Sequence, residues 1–463
     1  MAPARLFLRN CVYLLAGLAA PACAQSDAPK HWTLHEALDL PEELSVSGTA
    51  RARYETIANE FRPGVNQDAD AFLLRTNIAA QYDAGALRIG AELIDARVYG
   101  ASPNGSIDTG EVNAIELSQA YIGVDLHDAL TPGSKSTLDV GRFTMDLGSR
   151  RLVSRNGFRN TINAFTGIKM TYAATDGMSA AAYWVMPHIR LPADPASIAA
   201  NDVEIDRATT DLVLFGGFLR LPSVGSGDTM DLYAYALEEK DSPAFPTRNR
   251  HLYTPGLRLF RNPAPHRLDW EMEGIYQFGH TRLGLDRAAQ KADVSAYFLH
   301  AELGYQFAGD WRTRLSLEYD LASGDEPGGA YSRFDTLYGS RRLDFGPSNL
   351  YGALSRNNIS SPGLRIEVAP GARWDGFAAY RAAWLASRTD SFAGTGLRDP
   401  SGSSGSFAAH QIEGRVRYWL IPEAVRLESG AAFLLRGRFM KQAPNANRSG
   451  DTLYGYFDLT WSF

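Results

Sequence analysis

The sequence predicts an all-β fold, a transmembrane antiparallel β-barrel of about 18 strands with long extracellular loops. Three observations support this prediction. The chain begins with the pattern of an export signal. No later stretch approaches the about 20 consecutive apolar residues that a membrane-spanning helix needs. Apolar and polar residues alternate along many segments that are about twice as long as the usual strand of a soluble protein.

The first 24 residues have the composition of a secretory signal peptide. Arg5 and Arg9 precede an apolar run that ends at Leu18, and small residues surround Cys23. We therefore predict a cleaved signal peptide over 1–24, a periplasmic segment over 25–43 and the barrel over 44–463. A lipoprotein cleaved before Cys23 is the weaker alternative, because Ala20-Pro21-Ala22 is a poor approach to a lipidated cysteine.

The composition excludes several classes of function. Both cysteines, Cys11 and Cys23, lie within the predicted signal peptide, so disulfides, thiolate catalysis and cysteine-ligated metals are not expected. The formal charge of −6 argues against a nucleic-acid partner. No metal-binding histidine spacing, phosphate loop or nucleophile elbow occurs, so we expect no cofactor and no enzyme. A hydrolase built on an outer-membrane barrel stays open as a minor alternative.

The last strand shows the alternation most clearly. Its apolar set is Leu453, Gly455, Phe457, Leu459, Trp461 and Phe463, and the residues between them are Tyr454, Tyr456, Asp458, Thr460 and Ser462. One face of such a strand suits lipid and the other suits water, and a tilted strand of about 9–11 residues crosses a bilayer. The same pattern recurs at 267–279, 311–321 and 410–420, where the polar face carries charges.

Segmentation on this period gives an even number of candidate strands, as closure of an up-and-down barrel requires. They lie near 44–54, 72–83, 86–98, 115–127, 136–143, 166–174, 178–187, 211–221, 229–239, 254–261, 267–279, 295–307, 311–321, 363–369, 374–386, 410–420, 424–436 and 452–463. A barrel of 16–18 strands encloses an aqueous channel.

The segments between these strands alternate in length. Short turns such as Asp83-Ala84-Gly85 should face the periplasm. The long polar stretches at 99–114, 188–210, 322–362 and 387–409 should lie on the extracellular side. We expect the Gly- and Ser-rich segment 394–406 to be mobile.

Two segments depart from strand alternation. The first, 141–165, reads GRFTMDLGSRRLVSRNGFRNTINAF and holds five arginines against one aspartate, a local inversion of sign in an acidic chain. The second contains YDLASGD at 319–325, FDTLYGSRRLDFGP at 334–347 and SRNNISSPG at 355–363.

These two segments resemble the corresponding stretches of the alginate export family of outer-membrane barrels. The opening Thr33-Leu34-His35-Glu36-Ala37-Leu38 and the following Leu44-Ser45-Val46-Ser47-Gly48 are also similar to that family. The resemblance spans essentially the exported chain, and its specific part is about seventy residues. It implies an eighteen-stranded barrel with an arginine-rich constriction, through which an acidic exopolysaccharide leaves the periplasm.

The charge pattern agrees with that implication. A polyuronate carries one carboxylate per sugar, and guanidinium groups bind carboxylates in a bidentate way. We expect the pore to be lined by Arg142, Arg150, Arg151, Arg155, Arg159, Arg341, Arg342 and Arg356. We expect four aspartates to hold these arginines in place: Asp146, Asp320, Asp325 and Asp335. The competing interpretation is that the arginines pair with lumen carboxylates and serve only to satisfy charge within the barrel.

The sequence therefore predicts an outer-membrane channel that exports an alginate-like polyuronate. Its partners would be outer-membrane lipid, the acidic polysaccharide and periplasmic secretion proteins. The alternative is an uptake porin selective for small acids or sugars, because the direction of net flow is not encoded in a static pore.

Overall fold

The computed structural model describes residues 32–102, 104–225, 227–243, 245–447 and 450–463. The predicted signal peptide lies outside the described residues. The chain forms one closed antiparallel sheet in which each strand pairs with the next and β1 also pairs with β18. No helix among the described residues is long and apolar enough to cross a membrane.

Eighteen strands form the barrel, and their bounds follow the predicted segments closely. They are β1 (Leu44–Ala58), β2 (Ala69–Ala84), β3 (Leu87–Tyr99), β4 (Asn113–Asp125), β5 (Lys135–Phe143), β6 (Phe165–Ala173), β7 (Ser179–Pro187), β8 (Leu212–Val224), β9 (Asp228–Glu239), β10 (His251–Arg261), β11 (Leu268–Arg282), β12 (Lys291–Gln306), β13 (Arg314–Ala322), β14 (Ile359–Val368), β15 (Trp374–Trp384), β16 (Phe407–Ile421), β17 (Val425–Arg436) and β18 (Thr452–Ser462). Three short helices accompany them: α1 (Leu34–Ala37), α2 (Pro195–Ala200) and α3 (Arg438–Gln442).

The predicted facing of the strands is confirmed. On β11, Met272 is 60% exposed while Asp269 is buried, and on β13, Leu317 is 60% exposed while Asp320 is buried. In a barrel, the exposed apolar row faces lipid and the buried polar row faces the interior.

Some strands extend beyond the predicted bounds. β1 continues to Ala58 instead of ending at residue 54, and consecutive side chains near this end are buried on both faces of the strand. Glu55 and Thr56 are both buried there, so the alternation of burial stops before the strand does. The hairpin between β2 and β3 turns at Gly85, whose φ of 72° lies in the left-handed region that favours glycine.

The interior of the barrel is filled by two of its loops. We call residues 144–164 the first inner loop and residues 323–358 the second inner loop. Their side chains meet inward-facing residues of the wall, including Glu273 of β11 and Gln411 of β16. Val153, Phe334, Phe345 and Tyr351 are completely or almost completely buried in the hydrophobic core that the loops build inside the barrel.

The segment 394–406 does not behave as a simple exposed loop. Leu397 and Asp399 are almost completely buried, and the carboxylate of Asp399 accepts hydrogen bonds from Ser401 and Ser404. This Gly- and Ser-rich stretch is packed against the rest of the protein through these buried side chains. Its composition alone therefore does not show how mobile it is.

The described part of the predicted periplasmic segment lies at the seam of the barrel. Thr33 caps α1, and the ring of Trp32 stacks on Trp461 at 5.8 Å between ring centroids. Phe463 packs against Gly48 of β1 so closely that a Cβ atom at that glycine would overlap the ring. The first and last strands are thus joined by backbone pairing and by an aromatic contact at the periplasmic end.

Candidate functional site

The two segments that depart from strand alternation meet inside the barrel. Val153 of the first inner loop forms a parallel bridge with Tyr338 of the second. The amide of Tyr338 donates to the carbonyl of Leu152 at 2.9 Å, and the amide of Ser340 donates to the carbonyl of Arg150 at 3.0 Å. Residues almost two hundred positions apart therefore form one continuous structure across the lumen.

Arg151 links these loops to the wall. Its guanidinium forms ion pairs with Glu271 and Glu273 of β11 and with Asp344 of the second inner loop, the last at 3.0 Å. We call these four residues the loop anchor. Burial would lower the pKa of Arg151, but the three carboxylates outweigh it and hold that pKa well above its usual range. Arg151 is 6% exposed, so its charge is used to hold the loop in place.

Asp344 is the counterpart of Arg151 in the anchor. Burial would raise the pKa of Asp344, but the charges of Arg151 and Arg356 keep it well below its usual range. Arg356 donates to Asp344 through Nε at 3.1 Å and is itself 1% exposed. These two predicted pore arginines therefore share one buried carboxylate.

Three further predicted arginines also have carboxylate partners. Arg155 pairs with Glu92 of β3, and its Nη1 lies 2.8 Å from the carboxylate. Arg342 lies 3.8 Å from Glu413 and donates to the hydroxyl of Tyr456. Arg142 pairs with Glu116.

Arg142 also differs from the others in its position on the wall. It lies opposite Ala120 in the register, two residues along β5 from Val140, which is 48% exposed. Strand alternation therefore places Arg142 on the outward-facing row, from which its guanidinium reaches the carbonyl of Leu117 as well as Glu116.

None of the four aspartates forms an ion pair with a predicted pore arginine among the described residues, although Asp146 accepts from the backbone of Arg155, and that part of the expectation is corrected. Asp146 accepts from the Ser154 hydroxyl and the Arg155 amide, and Asp325 accepts from the Ser332 amide. Asp335 pairs with Arg250 and Asp320 with Arg381 and His300, none of which was predicted. The fold supplies the carboxylates from distant strands, so nearness in sequence does not identify them.

Arg150, Arg159 and Arg341 differ from the other predicted arginines. Among the described residues, none of their side chains lies within ion-pairing distance of a carboxylate. Arg150 is exposed, with its backbone in the left-handed region at φ 62°. Arg159 and Arg341 are largely buried and lie near two arginines from other loops, Arg62 and Arg190.

We call Arg62, Arg159, Arg190 and Arg341 the arginine cluster. Arg159 donates to the Asn163 side-chain oxygen at 2.6 Å, and Arg190 donates to the same oxygen at 3.0 Å. Arg341 donates to the carbonyl of Gly352 at 2.9 Å. A Cβ atom at Gly352 would meet the guanidinium groups of both Arg341 and Arg62.

The four arginines come from four different loops, and most of their hydrogen-bond acceptors are neutral. Arg190 also donates to the carbonyl of Thr109 at 2.9 Å. Arg62 is the member with a carboxylate partner, Glu60 at 2.9 Å. Asp108 and Glu111 add negative charge nearby, so the cluster holds four guanidinium groups against three carboxylates.

This excess of positive charge also acts on the members of the cluster themselves. Burial, together with the neighbouring charges of Arg190 and Arg341, lowers the pKa of Arg159 well below its usual range. Burial and the charge of Arg62 lower the pKa of Arg341 to about 10. At a pKa of about 10, Arg341 is still charged at neutral pH. A bound anion would relieve the repulsion among the arginines and raise the pKa values of Arg159 and Arg341.

A cavity of about 640 Å³ lies at the periplasmic end, next to the first inner loop. Arg75 and Arg155 line it, together with Glu92 and Phe463. Arg75 donates to the carbonyls of Gly157 and Arg159, both at 2.9 Å, so it also supports the loop that contributes Arg159 to the cluster. Two arginines therefore line this cavity, and one of them also contacts the first inner loop.

Elsewhere on the inner wall, arginines are paired with carboxylates on the same strand or on a strand one or two positions away. The pairs include Arg88 with Asp125, Arg220 with Asp231, Arg258 with Glu271, Arg314 with Asp269, Arg365 with Glu367, and Arg415 and Arg417 with Asp375. The competing interpretation of the sequence, that arginines satisfy lumen carboxylates, fits this part of the barrel.

The sequence reasoning missed Arg62, Arg75 and Arg190. Arg75 follows the inward-facing row of β2, so strand alternation could have identified it. Arg62 is the one arginine of its loop, and Arg190 shares its loop with Arg207, so no local pattern in the sequence marks either of them.

Comparison with known proteins gives a family and a set of similar folds. The model of the family described as alginate export matches residues 42–452. OccAB1 of Acinetobacter baumannii is 13% identical over 96% of this chain and 99% of its own, with a TM-score of 0.59. OccK2 of Pseudomonas aeruginosa, solved in complex with glucuronate, is 13% identical over 91% of this chain and 98% of its own, with a TM-score of 0.56. No protein with a curated description matches the chain.

Proposed function

The chain belongs to the alginate export family, and on that basis we propose that it passes an acidic exopolysaccharide, an alginate-like polyuronate, out of the periplasm through an arginine-lined pore. Family membership and fold together identify an outer-membrane β-barrel channel. The observation that supports the finer statement is the arginine cluster, in which loops from four parts of the chain bring excess positive charge together inside the barrel.

The chemistry of a polyuronate suits this arrangement. Each sugar carries one carboxylate, and each guanidinium offers paired donors to it. Arg75 and Arg155 at the periplasmic mouth would receive the chain, and the arginine cluster would bind the sugars that follow. Several weak sites in series allow the polymer to advance, whereas one strong site would retain it.

The predicted arginines have three different roles. Arg159 and Arg341 carry the selectivity, and Arg150 supplements them from an exposed position. Arg151 and Arg356 hold the loops through Asp344, and Arg142 lies on the outward-facing row. Arg155 and Arg342 are partly neutralised by Glu92 and Glu413, so we assign them a smaller share.

Selectivity in planar bilayers tests this proposal. The purified protein should prefer anions although its sequence is acidic, because a pore's selectivity follows the residues at its narrowest part. Oligouronates should block the current, and the block should weaken with salt as the Debye length falls from ~10 Å at 0.1 M to ~3 Å at 1 M. Arg159→Gln with Arg341→Gln should remove the anion preference and the block.

Arg365→Gln is the matched control for the loss of a positive charge. Arg365 is paired with Glu367, which also binds Arg314, so no carboxylate is left without a partner. The cluster variant removes two positive charges and the control removes one, so the two are compared per charge removed. On that basis, Arg365→Gln should shift the anion selectivity much less than the cluster variant. Cation preference in the unmodified protein, or equal effects of the two changes, would contradict the arginine-lined pore.

An uptake porin for small acids is the second candidate. The structure of OccK2 in complex with glucuronate favours it, because glucuronate is a single acidic sugar bound to a barrel of similar fold. Flux from proteoliposomes separates the two functions. A channel that releases oligouronates of about ten sugars supports export of a polymer, whereas passage of glucuronate with exclusion of the oligomers supports uptake.

Export to the outer membrane would begin with the signal peptide over 1–24. The segment 25–43 would then lie in the periplasm, where its described part already contacts the seam of the barrel through Trp32. This position suits a contact with periplasmic secretion proteins that deliver the polymer.

A further inference from the structure

Two histidines lie side by side on the outer face of the barrel. His251 of β10 and His280 of β11 are direct partners in the register, and their rings stack with centroids 4.4 Å apart. Glu238 of β9 lies opposite His251, and Asp293 of β12 lies opposite His280. We call Glu238, His251, His280 and Asp293 the histidine row, because four consecutive strands present them at one level.

The row points outward. Directly opposed residues of an antiparallel pair share a face of the sheet. Two residues further along the same strands come Tyr253 and Phe278, which are 40% and 44% exposed and lie 5.6 Å apart. The residues between them on β10 and β11, Leu252 and Gly279, belong to the inward-facing row.

The aromatic residues place the row relative to the membrane. Tyr253, Phe278, Tyr276 and Tyr297 form an exposed aromatic patch on the outer face, as in the belts that mark a membrane interface. The histidine row lies beyond that patch, towards the ends of β9 and β11 that lead into loops. It is therefore at the level of the lipid headgroups on the side opposite the short turns.

We propose that His251, His280 and Glu238 form a site for one zinc ion or a similar divalent transition metal. Imidazole nitrogens bind Zn²⁺ at about 2.0–2.1 Å and carboxylate oxygens at about 2.0–2.2 Å. Directly opposed residues on one face have Cβ atoms about 4.5–5.5 Å apart, so one ion can lie between two opposed imidazoles. Glu238, which already contacts Nδ1 of His251, supplies the third ligand.

The charge around the row favours a cation. Two carboxylates flank the imidazoles, and the nearest arginine along β11, Arg282, is paired with Asp241 at 2.5 Å. Lys291 lies opposite Arg282 in the register and is the remaining cation beside Asp293. The set of two nitrogen and one carboxylate ligand leaves a fourth position for water, as tetrahedral zinc requires.

The metal-free side chains do not yet enclose an ion. Among the described residues, no three histidine, aspartate or glutamate side chains converge on one centre. The imidazoles stack face to face instead, and His280 must turn about its side-chain bonds to direct a nitrogen towards His251. The Glu238 carboxylate must also leave Nδ1 of His251, so that both groups can bind the same ion. His280 is exposed, so this rotation displaces no packed neighbour.

Calorimetric titration of the untagged protein in detergent micelles with zinc chloride tests the site. One ion should bind per chain, and His251→Ala, His280→Ala and Glu238→Gln should each weaken binding by ~10-fold or more, since even loss of an outer-shell partner costs about 10–100-fold. Titration with Co²⁺ should give the intense visible bands of a tetrahedral complex.

His410→Ala is the matched control. His410 also points outward, from β16, but it bonds to the hydroxyl of Tyr380 and has no second histidine opposite it. This variant should bind zinc like the unmodified chain. Heat-modifiable migration in gels shows whether each variant is folded. Absence of zinc binding in the folded protein, or binding that survives both histidine substitutions together, would overturn the proposal.

Discussion

Replacement of Arg151 by glutamine should destabilise the protein although this arginine was predicted to line the pore. The substitution removes the guanidinium that joins the first inner loop to Glu271, Glu273 and Asp344. Loss of one partner from a buried ion pair typically costs about 3–5 kcal/mol, because the remaining charge stays buried without compensation.

The surrounding contacts place the expected cost at the lower end of that range. Glu271 keeps Arg258 as a partner, and Asp344 keeps Arg356. Glu273 keeps only the hydroxyls of Tyr233 and Ser149, at 2.6 and 3.0 Å. One carboxylate of three therefore loses its counter-charge, and we expect a loss of about 3 kcal/mol in the free energy of unfolding.

Urea unfolding measured by tryptophan fluorescence gives the global free energy, and limited trypsin digestion reports release of the first inner loop. Arg150→Gln is the matched control. Arg150 is next to Arg151 in the sequence but its side chain is exposed, so its loss should change the free energy of unfolding by less than about 0.5 kcal/mol. Adding Glu273→Gln to Arg151→Gln should recover about half of the loss or more. Equal stabilities of Arg151→Gln and Arg150→Gln, or no recovery in the double variant, would refute the loop anchor.

Two further predictions concern the wall and one of its loops. Met272 lies on the lipid-facing row of β11, midway between Leu268 and Tyr276, and is 60% exposed. Met272→Arg should therefore cost about 2–4 kcal/mol in lipid, whereas Ser295→Arg, opposite Phe278 in the aromatic patch, should cost about 0–1. Equal costs in vesicle refolding would contradict the depths assigned to these two residues. Burial, with the charge of Glu116 beside it, raises the pKa of Asp206 to about 6. The folded chain then holds this proton more tightly than the unfolded chain, so a contribution on the order of 3 kcal/mol is present below pH ~4 and is lost as pH rises through about 6. Asp206→Asn should flatten the stability profile between pH 4 and 8, and an unchanged profile would contradict the assignment.

The barrel could be predicted because its physics is local. In a membrane, each strand must present apolar side chains to lipid at every second position, and Met272 and Leu317 follow that rule within a few residues of chain. The ends of strands, such as Ala58 of β1, were predicted less accurately. Loops cover the wall residues there, and the alternation of burial stops before the strand ends.

The positions of the two inner loops illustrate the limit of this reasoning. Their arginine-rich sequences marked them as unusual, and the structure joins them through Val153 and Tyr338. The sequence could not show that they fold into the lumen, because long polar loops of a barrel commonly lie on the extracellular side.

By itself, the sequence determined an eighteen-stranded barrel, the facing of its strands and the two segments that differ from the wall. Only the tertiary structure decided which arginines keep unpaired charge. The carboxylates that neutralise Arg151 and Arg155 lie on β11 and β3, while Arg159 meets Arg190 and Arg341 from other loops. Electrostatic interaction depends on distance in space and on burial, and a closed barrel brings together charges that are far apart along the chain.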